Sequence, residues 1–270
     1  MAACISVFPG RGPVDEPLAR GSRARTHSFL NTRLFYRSVV PLHRERHRDL
    51  RLHRGDPDVR YAAATHYVPI AGTEFHQAAR DFPLLFTGDE EPSPIALLGL
   101  RADENLFVTD EGTWMPGTYV PAFVRRYPFI LGRRGYGDDA SVCIDERHPG
   151  FSRDSGERLF DEAGGETPWL TGVRDFLAGY ARDLERTRAF ASRLAELGLL
   201  IRRDLRINDT AGRHYRLDDC RIVDEVRLGE LATGLVDELH RAGWLGWIHA
   251  HLVSLGNVDR LAGFMASRST

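Results

Sequence analysis

TPWLTGVRDFLAGYARDLERTRAFASRLAELG, residues 167–198, is the stretch that sets the architecture. Thr167 has the hydroxyl of a good N-cap, and Pro168 suits the first helical position, where a missing N–H leaves nothing unbonded. Leu170, Val173, Leu177, Tyr180, Leu184, Thr187, Ala191 and Leu194 then recur at alternating spacings of three and four. Phe176, Phe190 and Leu197 widen this apolar stripe, and Gly198 is a natural stop just past the end. The pattern predicts one helix over 168–197, roughly 45 Å long at 1.5 Å per residue. A small sheet cannot cover that length. Part of the helix must pack on another helix, of this chain or of a second copy.

Upstream, from 61 to about 144, short apolar runs alternate with Gly, Pro, Asp and Asn. HYVPI (66–70), LLF (84–86), ALLGL (96–100), LFV (106–108), FIL (129–131) and SVCI (141–144) read as strands of a mostly antiparallel sheet. Two short helices are expected inside it, over 73–80 with Thr73 as cap and over 120–127 before Pro128. The polar, Gly-rich residues 145–166 read as a long loop. Downstream, 205–207 and 221–223 flank NDTAG (208–212), the mark of a hairpin. Two helices should close the chain, over 228–241 and from Trp244 onward, with a break at Gly256-Asn257. The fold class is therefore α+β: a β-rich N-terminal half packed on a helical C-terminal half. Residues 36–265 are expected to form a single domain behind a flexible basic extension, 1–35.

Hydrophobic residues make up 42% and charged residues 27% of the 270, the balance of an ordinary globular chain. No apolar run approaches the roughly 20 residues of a membrane span, and the start lacks the basic-then-apolar order of a secretory signal. The expected location is the cytoplasm, with envelope association left open. Cys4, Cys143 and Cys220 are far apart, which argues against a disulfide framework or zinc ribbon. Cys143 and Cys220 read as small buried residues of strands. All 36 basic residues are arginine. Without lysine there can be no Schiff-base nucleophile and no Walker-A phosphate loop. In the first 60 positions twelve arginines face six acids, a local +6 that the remainder must offset with −8 to reach the total of −2. Such a front could attract nucleic acid, but a solvated arm balancing an acidic body is the simpler reading.

Four groups of residues could carry chemistry. His43, Glu45 and His47 would converge as a metal site if the segment were a strand, since alternate residues share a face. The same segment reads more simply as a solvated polar stretch. Glu74 and His76 are too close along a helix to share a ligand, and Glu74 suits a helix start. His249 and His251 diverge on a helix, which would put one in the core and one in water. Arg125 and Arg126, beside Tyr127, could clamp a carboxylate or phosphate, or pair with Asp145-Glu146 and Asp161-Glu162. No GxGxxG, GxSxG, HExxH or Cys/His metal spacing is present.

Several stretches taken together resemble one family: PLHRERHRDLRL (41–52), YVPIAGTEFHQAARDFPLLF (67–86), ALLGLRADENLFV (96–108), YVPAFVRRYPFIL (119–131), VCIDERHPGF (142–151), LFDEAGGETPWL (159–170) and HRAGWLGWIHAHLVSLGNVDRL (240–261). The sequence resembles the SapC family of bacterial proteins, named from a surface-layer locus. His43 departs from the pattern, which counts against the metal triad. The resemblance implies an association with surface layers or envelope transport; it brings no established catalytic residues to carry over and leaves the cofactor unknown. It leaves a non-enzymatic accessory or adaptor protein as the first expectation, with a protein partner or a second copy bound through the 168–197 helix. An adaptor of that kind should expose an apolar stripe there. The alternative is a small-molecule binder or metal-dependent modifying enzyme acting with an envelope uptake system. It expects a pocket where Arg125, Arg126, Glu74 and either His76 or His251 meet. Nucleic-acid binding is the least expected.

Overall fold

The computed structural model describes residues 34–53, 58–133, 140–208 and 213–268. In chain order its elements are β1 (Val39–Pro41), β2 (Arg51–Leu52), β3 (Tyr67–Pro69), α1 (Phe75–Ala78), β4 (Leu84–Thr87), β5 (Ser93–Leu97), α2 (Ala122–Arg125), β6 (Phe129–Arg133) and β7 (Ala140–Asp145). There follow β8 (Phe151–Ser152), β9 (Glu157–Arg158), α3 (Pro168–Glu196), β10 (Leu200–Asn208), β11 (His214–Val223), α4 (Glu225–Gly229), α5 (Thr233–Arg241), α6 (Trp244–Ser254) and α7 (Asn257–Ser267). The expected α+β class holds. The basic extension lies outside the described residues apart from Leu34 and Phe35, as do Cys4 and most of the hairpin turn at 208–212.

The long helix forms as its sequence dictates. Thr167 Oγ1 accepts the N–H of Leu170 at 3.3 Å, and Gly198 leaves the helix at φ +66°, a conformation that costs glycine little. Its stripe is buried by the chain itself. Leu170 and Leu177 enter a smaller hydrophobic cluster with Phe129, Ile144 and Leu159. Tyr180, Phe190, Ala191 and Leu194 enter the main core. Phe190, fully buried, meets Trp247 of α6 edge-on at 5.2 Å, so the helical partner that the length demanded is intramolecular. A ring buried this way contributes roughly 1.5–3 kcal/mol. Arg193 adds a two-pronged ion pair across to α5, Nε to Glu238 Oε1 at 2.7 Å and Nη2 to Oε2 at 2.9 Å.

The apolar runs of the front half do not share one sheet. β3, β4 and β5 join the C-terminal hairpin in a five-stranded sheet of order β10-β11-β4-β5-β3, whereas β6 and β7 pair with β1 in a three-stranded one. All pairings are antiparallel, as expected. Residues 145–166 are not a continuous loop, because β8 and β9 flank β2 there. LFV (106–108) makes only a single bridge, Val108 to Trp114. The Asn105 side chain donates to Ala62 O at 3.0 Å and accepts from Phe107 N at 2.9 Å, bonds that compete with a ladder. The helix expected over 73–80 is shorter: a 3₁₀ turn at Gly72–Glu74 leads into α1, and Ala71, not Thr73, occupies the cap position. The helix expected over 228–241 is split into α4 and α5, the former capped by Asp224, whose Oδ1 accepts from Val226 N at 3.1 Å. Cys143 and Cys220 lie buried in β7 and β11, and burial pushes the Cys220 thiol up to about 11, which makes it a poor nucleophile. No helix among the described residues is long and apolar enough to cross a membrane.

Candidate functional site

Glu74 is 7% exposed, and both its oxygens are committed. Oε2 accepts the N–H of Ala71 at 3.0 Å, closing its own turn. Oε1 accepts the N–H of Ala122 at 2.7 Å and the hydroxyl of Tyr119 at 2.9 Å, which fastens the start of α2. Burial pushes the Glu74 carboxyl above its ordinary range, and the bonds from Ala122, Ala71 and Tyr119 with the Arg125 charge pull it part of the way back. Arg125 donates from Nη2 to the Tyr119 hydroxyl at 3.2 Å and from Nε to Val120 O at 3.0 Å. Its guanidinium also lies 5.4 Å from the ring centre of Phe176 on α3. The helix-start role foreseen for Glu74 is thus widened into a joint between two segments.

Arg126 follows Arg125 but points elsewhere, since successive residues of a helix diverge by about 100°. It is 6% exposed, and its guanidinium sits 4.1 Å from the ring centre of Phe123, 5.6 Å from that of Tyr180 and 5.8 Å from that of Tyr36. Burial raises the Tyr36 phenol to about 12 although the Arg126 charge acts the other way. Arg126 and Phe123 form one wall of a cavity of about 50 Å³. Ile70 and Pro94 lie on the sheet side, and Tyr180 and Thr187 come from α3. Thr187 also ties the sheet side to the helix, its Oγ1 accepting the N–H of Gly72 at 2.9 Å and donating to Asp183 O at 2.6 Å.

The Tyr180 hydroxyl is buried there without a hydrogen-bond partner among the described residues, and burial drives its pKa far up. A buried phenol normally finds a partner, and leaving one unsatisfied costs on the order of 1–3 kcal/mol. A guanidinium over an aromatic ring, beside a hydroxyl with no partner among the described residues, is an arrangement suited to a small anion. The cation supplies charge, the phenol one bond, and Ile70 and Pro94 an apolar flank.

Glu74 and Arg125 meet through the Tyr119 hydroxyl, but of the expected residues only Arg126 lines the cleft, and neither histidine does. His76 is exposed and turned toward Gly246 of α6, where a β-carbon would meet its Nε2 at 3.3 Å. His251 is fully buried in the core, its Nε2 accepting the N–H of Val223 at 3.1 Å and its ring meeting Phe86 at 5.2 Å. Burial lowers its pKa to about 4. His249, its neighbour two residues back, faces water, the division expected for that pair.

His43, Glu45 and His47 lie in successive turns, not on a strand. His47 Nδ1 accepts the N–H of His43 at 2.9 Å, and His43 Nδ1 accepts the N–H of Glu45 at 3.3 Å, so both rings serve the backbone. Among the described residues no group of three His, Cys, Asp or Glu is placed to hold a metal ion. Of the acids expected to pair with the arginines, Asp145 accepts the N–H groups of Arg37 and Ser38, and Glu146 pairs with Arg46 at 2.9 Å. Tyr180 and Thr187 escaped notice because both stand in the apolar stripe, where they read as core. The one signal for them was chemical: a hydroxyl in a buried stripe needs a partner.

These features define an α+β protein with a small arginine-walled cleft under one long helix. The chain belongs to the SapC family, whose family model matches residues 42–261, a span that contains the whole cleft. No curated protein and no solved structure matches the chain.

Proposed function

We propose that this SapC-family protein is a non-catalytic, ligand-holding accessory protein of a surface-layer or envelope system, acting from the cytoplasmic side. The cleft under α3 would take a small carboxylate with a short apolar tail. The observation that carries the reading is the buried Arg126 guanidinium, 4.1 Å from the ring centre of Phe123, beside a Tyr180 hydroxyl with no hydrogen-bond partner among the described residues. The link to surface layers rests on the family name. An adaptor working through an exposed stripe of α3 has less support, because Leu177, Tyr180, Phe190 and Leu194 are covered by this chain's own residues. A protein partner would instead meet a loaded or unloaded cleft.

Butyrate is the probe, with butanol as its uncharged control, in thermal-shift titrations of the full chain. Butyrate should raise the melting temperature and butanol should not, because binding to the folded state alone stabilises by mass action. Tyr180→Phe, which removes only the unused hydroxyl, should keep the fold and weaken the butyrate effect. Equal responses to butyrate and butanol, or none at tens of millimolar, would discard the reading. Native mass spectrometry of protein purified gently from its host should show a small added mass.

A further inference from the structure

A second cavity, of about 390 Å³, shares no lining residue with the Arg126 cleft. Part of its wall is made of rings. Tyr61 and Tyr127 stack at 4.2 Å with 35° between their planes, Tyr36 meets Tyr127 at 5.2 Å, and His148 stands edge-on to Tyr127 at 5.1 Å. All three phenols point their hydroxyls into the protein: Tyr36 to Phe129 O at 2.7 Å, Tyr61 to Val124 O at 3.0 Å, and Tyr127 to Asp145 Oδ2 at 3.2 Å. What these three phenols offer the cavity is ring surface, which supplies stacking and dispersion with little hydrogen bonding of its own.

Charge stands at the mouth. Arg37, Arg60 and Arg147 all border the cavity, as does one acid, Asp58. Arg60 is occupied by Asp58 at 3.1 Å. The guanidinium groups of Arg37 and Arg147 make no hydrogen bond or ion pair with any described residue. Their placement is nonetheless fixed at the backbone by one fully buried carboxylate. Asp145 accepts the N–H of Arg37 at 2.8 Å, of Ser38 at 2.9 Å and of Arg147 at 3.2 Å. Two segments far apart in sequence thereby present one cation each to the same opening. Nothing in the Glu74 network or the α3 cleft requires this.

We infer that this cavity is a binding site for a planar aromatic anion, its ring held against Tyr61 and Tyr127 and its charge by Arg37 and Arg147. Arginine suits both parts of the task, since it pairs with carboxylates and phosphates through two donors and tolerates an aromatic face. A ring carrying a carboxylate and a ring carrying a phosphate share this chemistry, and the probes can separate them.

The test is calorimetric titration of the full chain with 2-naphthoate, with uncharged 2-naphthylmethanol, with non-planar cyclohexylacetate and with AMP. Saturable one-to-one binding of 2-naphthoate or AMP, at least tenfold tighter than either mismatched probe, is the expected result. AMP tighter than 2-naphthoate would assign the anion to a phosphate, and the reverse order to a carboxylate. Arg37→Gln/Arg147→Gln changes two exposed side chains and should fold normally by circular dichroism while losing at least tenfold in affinity. Unchanged affinity in that variant would overturn the inference, as would equal binding of all four probes or of none.

Discussion

A β-carbon placed on Gly72 would lie 2.3 Å from two ring atoms of Trp247. The backbone at this point is squeezed between α6, which supplies the indole, and α3, whose Thr187 takes the Gly72 N–H. Neither side can easily retreat: Trp247 is packed against Phe75 and Phe190. Gly72→Ala should therefore destabilise the fold by about 1–3 kcal/mol through overpacking. Urea denaturation followed by tryptophan fluorescence would measure it. Gly179→Ala on α3 is the control, since the nearest atom to its new carbon is an Arg182 guanidinium nitrogen at 3.8 Å. Alanine favours a helix interior by roughly 0.5–1 kcal/mol, so that variant should be neutral or more stable.

Removing Glu74 should cost more than removing most surface acids. Glu74→Ala leaves the N–H groups of Ala71 and Ala122 and the hydroxyl of Tyr119 without their acceptor. The two N–H groups are the buried ones, and at about 1–3 kcal/mol per unsatisfied buried group a loss of roughly 2–6 kcal/mol is expected. Glu74→Gln keeps one acceptor oxygen and should lose less. Equal stability of wild type and Glu74→Ala in chemical denaturation would refute the joint described between the 71–74 turn and α2.

The His251 imidazole is held neutral in the core, its pKa lowered by burial to about 4. An unfolded histidine titrates near 6.5, so between these values the unfolded chain binds more protons than the folded one. Its contribution to stability should be complete above about pH 6.5 and be lost as the pH falls toward about 4. The full effect is of order 3 kcal/mol at 1.36 kcal/mol per pH unit. His251→Phe removes this dependence at the expense of the bond to Val223 N. The stability gap between wild type and variant should narrow from pH 7 to pH 5. A constant gap would mean that His251 does not titrate in this way.

Thr167→Ala tests the cap of the long helix. It removes the acceptor for Leu170 N and the hydroxyl's bond to Arg158 O at 2.9 Å. A loss of about 1 kcal/mol is the usual consequence. Hydrogen exchange should accelerate first at residues 168–171, and protection unchanged there would contradict the assignment.

What could be read from the sequence was what is local. The cap at Thr167, the three-four rhythm of the stripe and the stop at Gly198 all lie within one segment, and α3 was read nearly to the residue. Phe151–Ser152 and Glu157–Arg158 were lost in an apparent loop because strands of two residues leave no alternation to detect. The run at 106–108 misled because a neighbouring asparagine bonds to the backbone there. That the C-terminal hairpin completes the front sheet rests on Arg221 meeting Phe86, a pairing no local pattern announces. Arg125, Arg126 and Glu74 stood out as charges among apolar neighbours. Tyr180 did not, because its ring fits the stripe and only its hydroxyl sets it apart.

The long helix belongs to both hydrophobic clusters, and Phe176 packs against each. Tyr180 and Thr187, two of the cleft's contacts on α3, come one and three turns after that changeover. The helix is thus a beam resting on two supports, with the cleft beside the middle of the span. An occupant pressed against Tyr180 would stiffen the whole beam, and the β1-β7-β6 sheet at the other support would feel it. The messenger would be rigidity: slower amide exchange in strands that the occupant never touches.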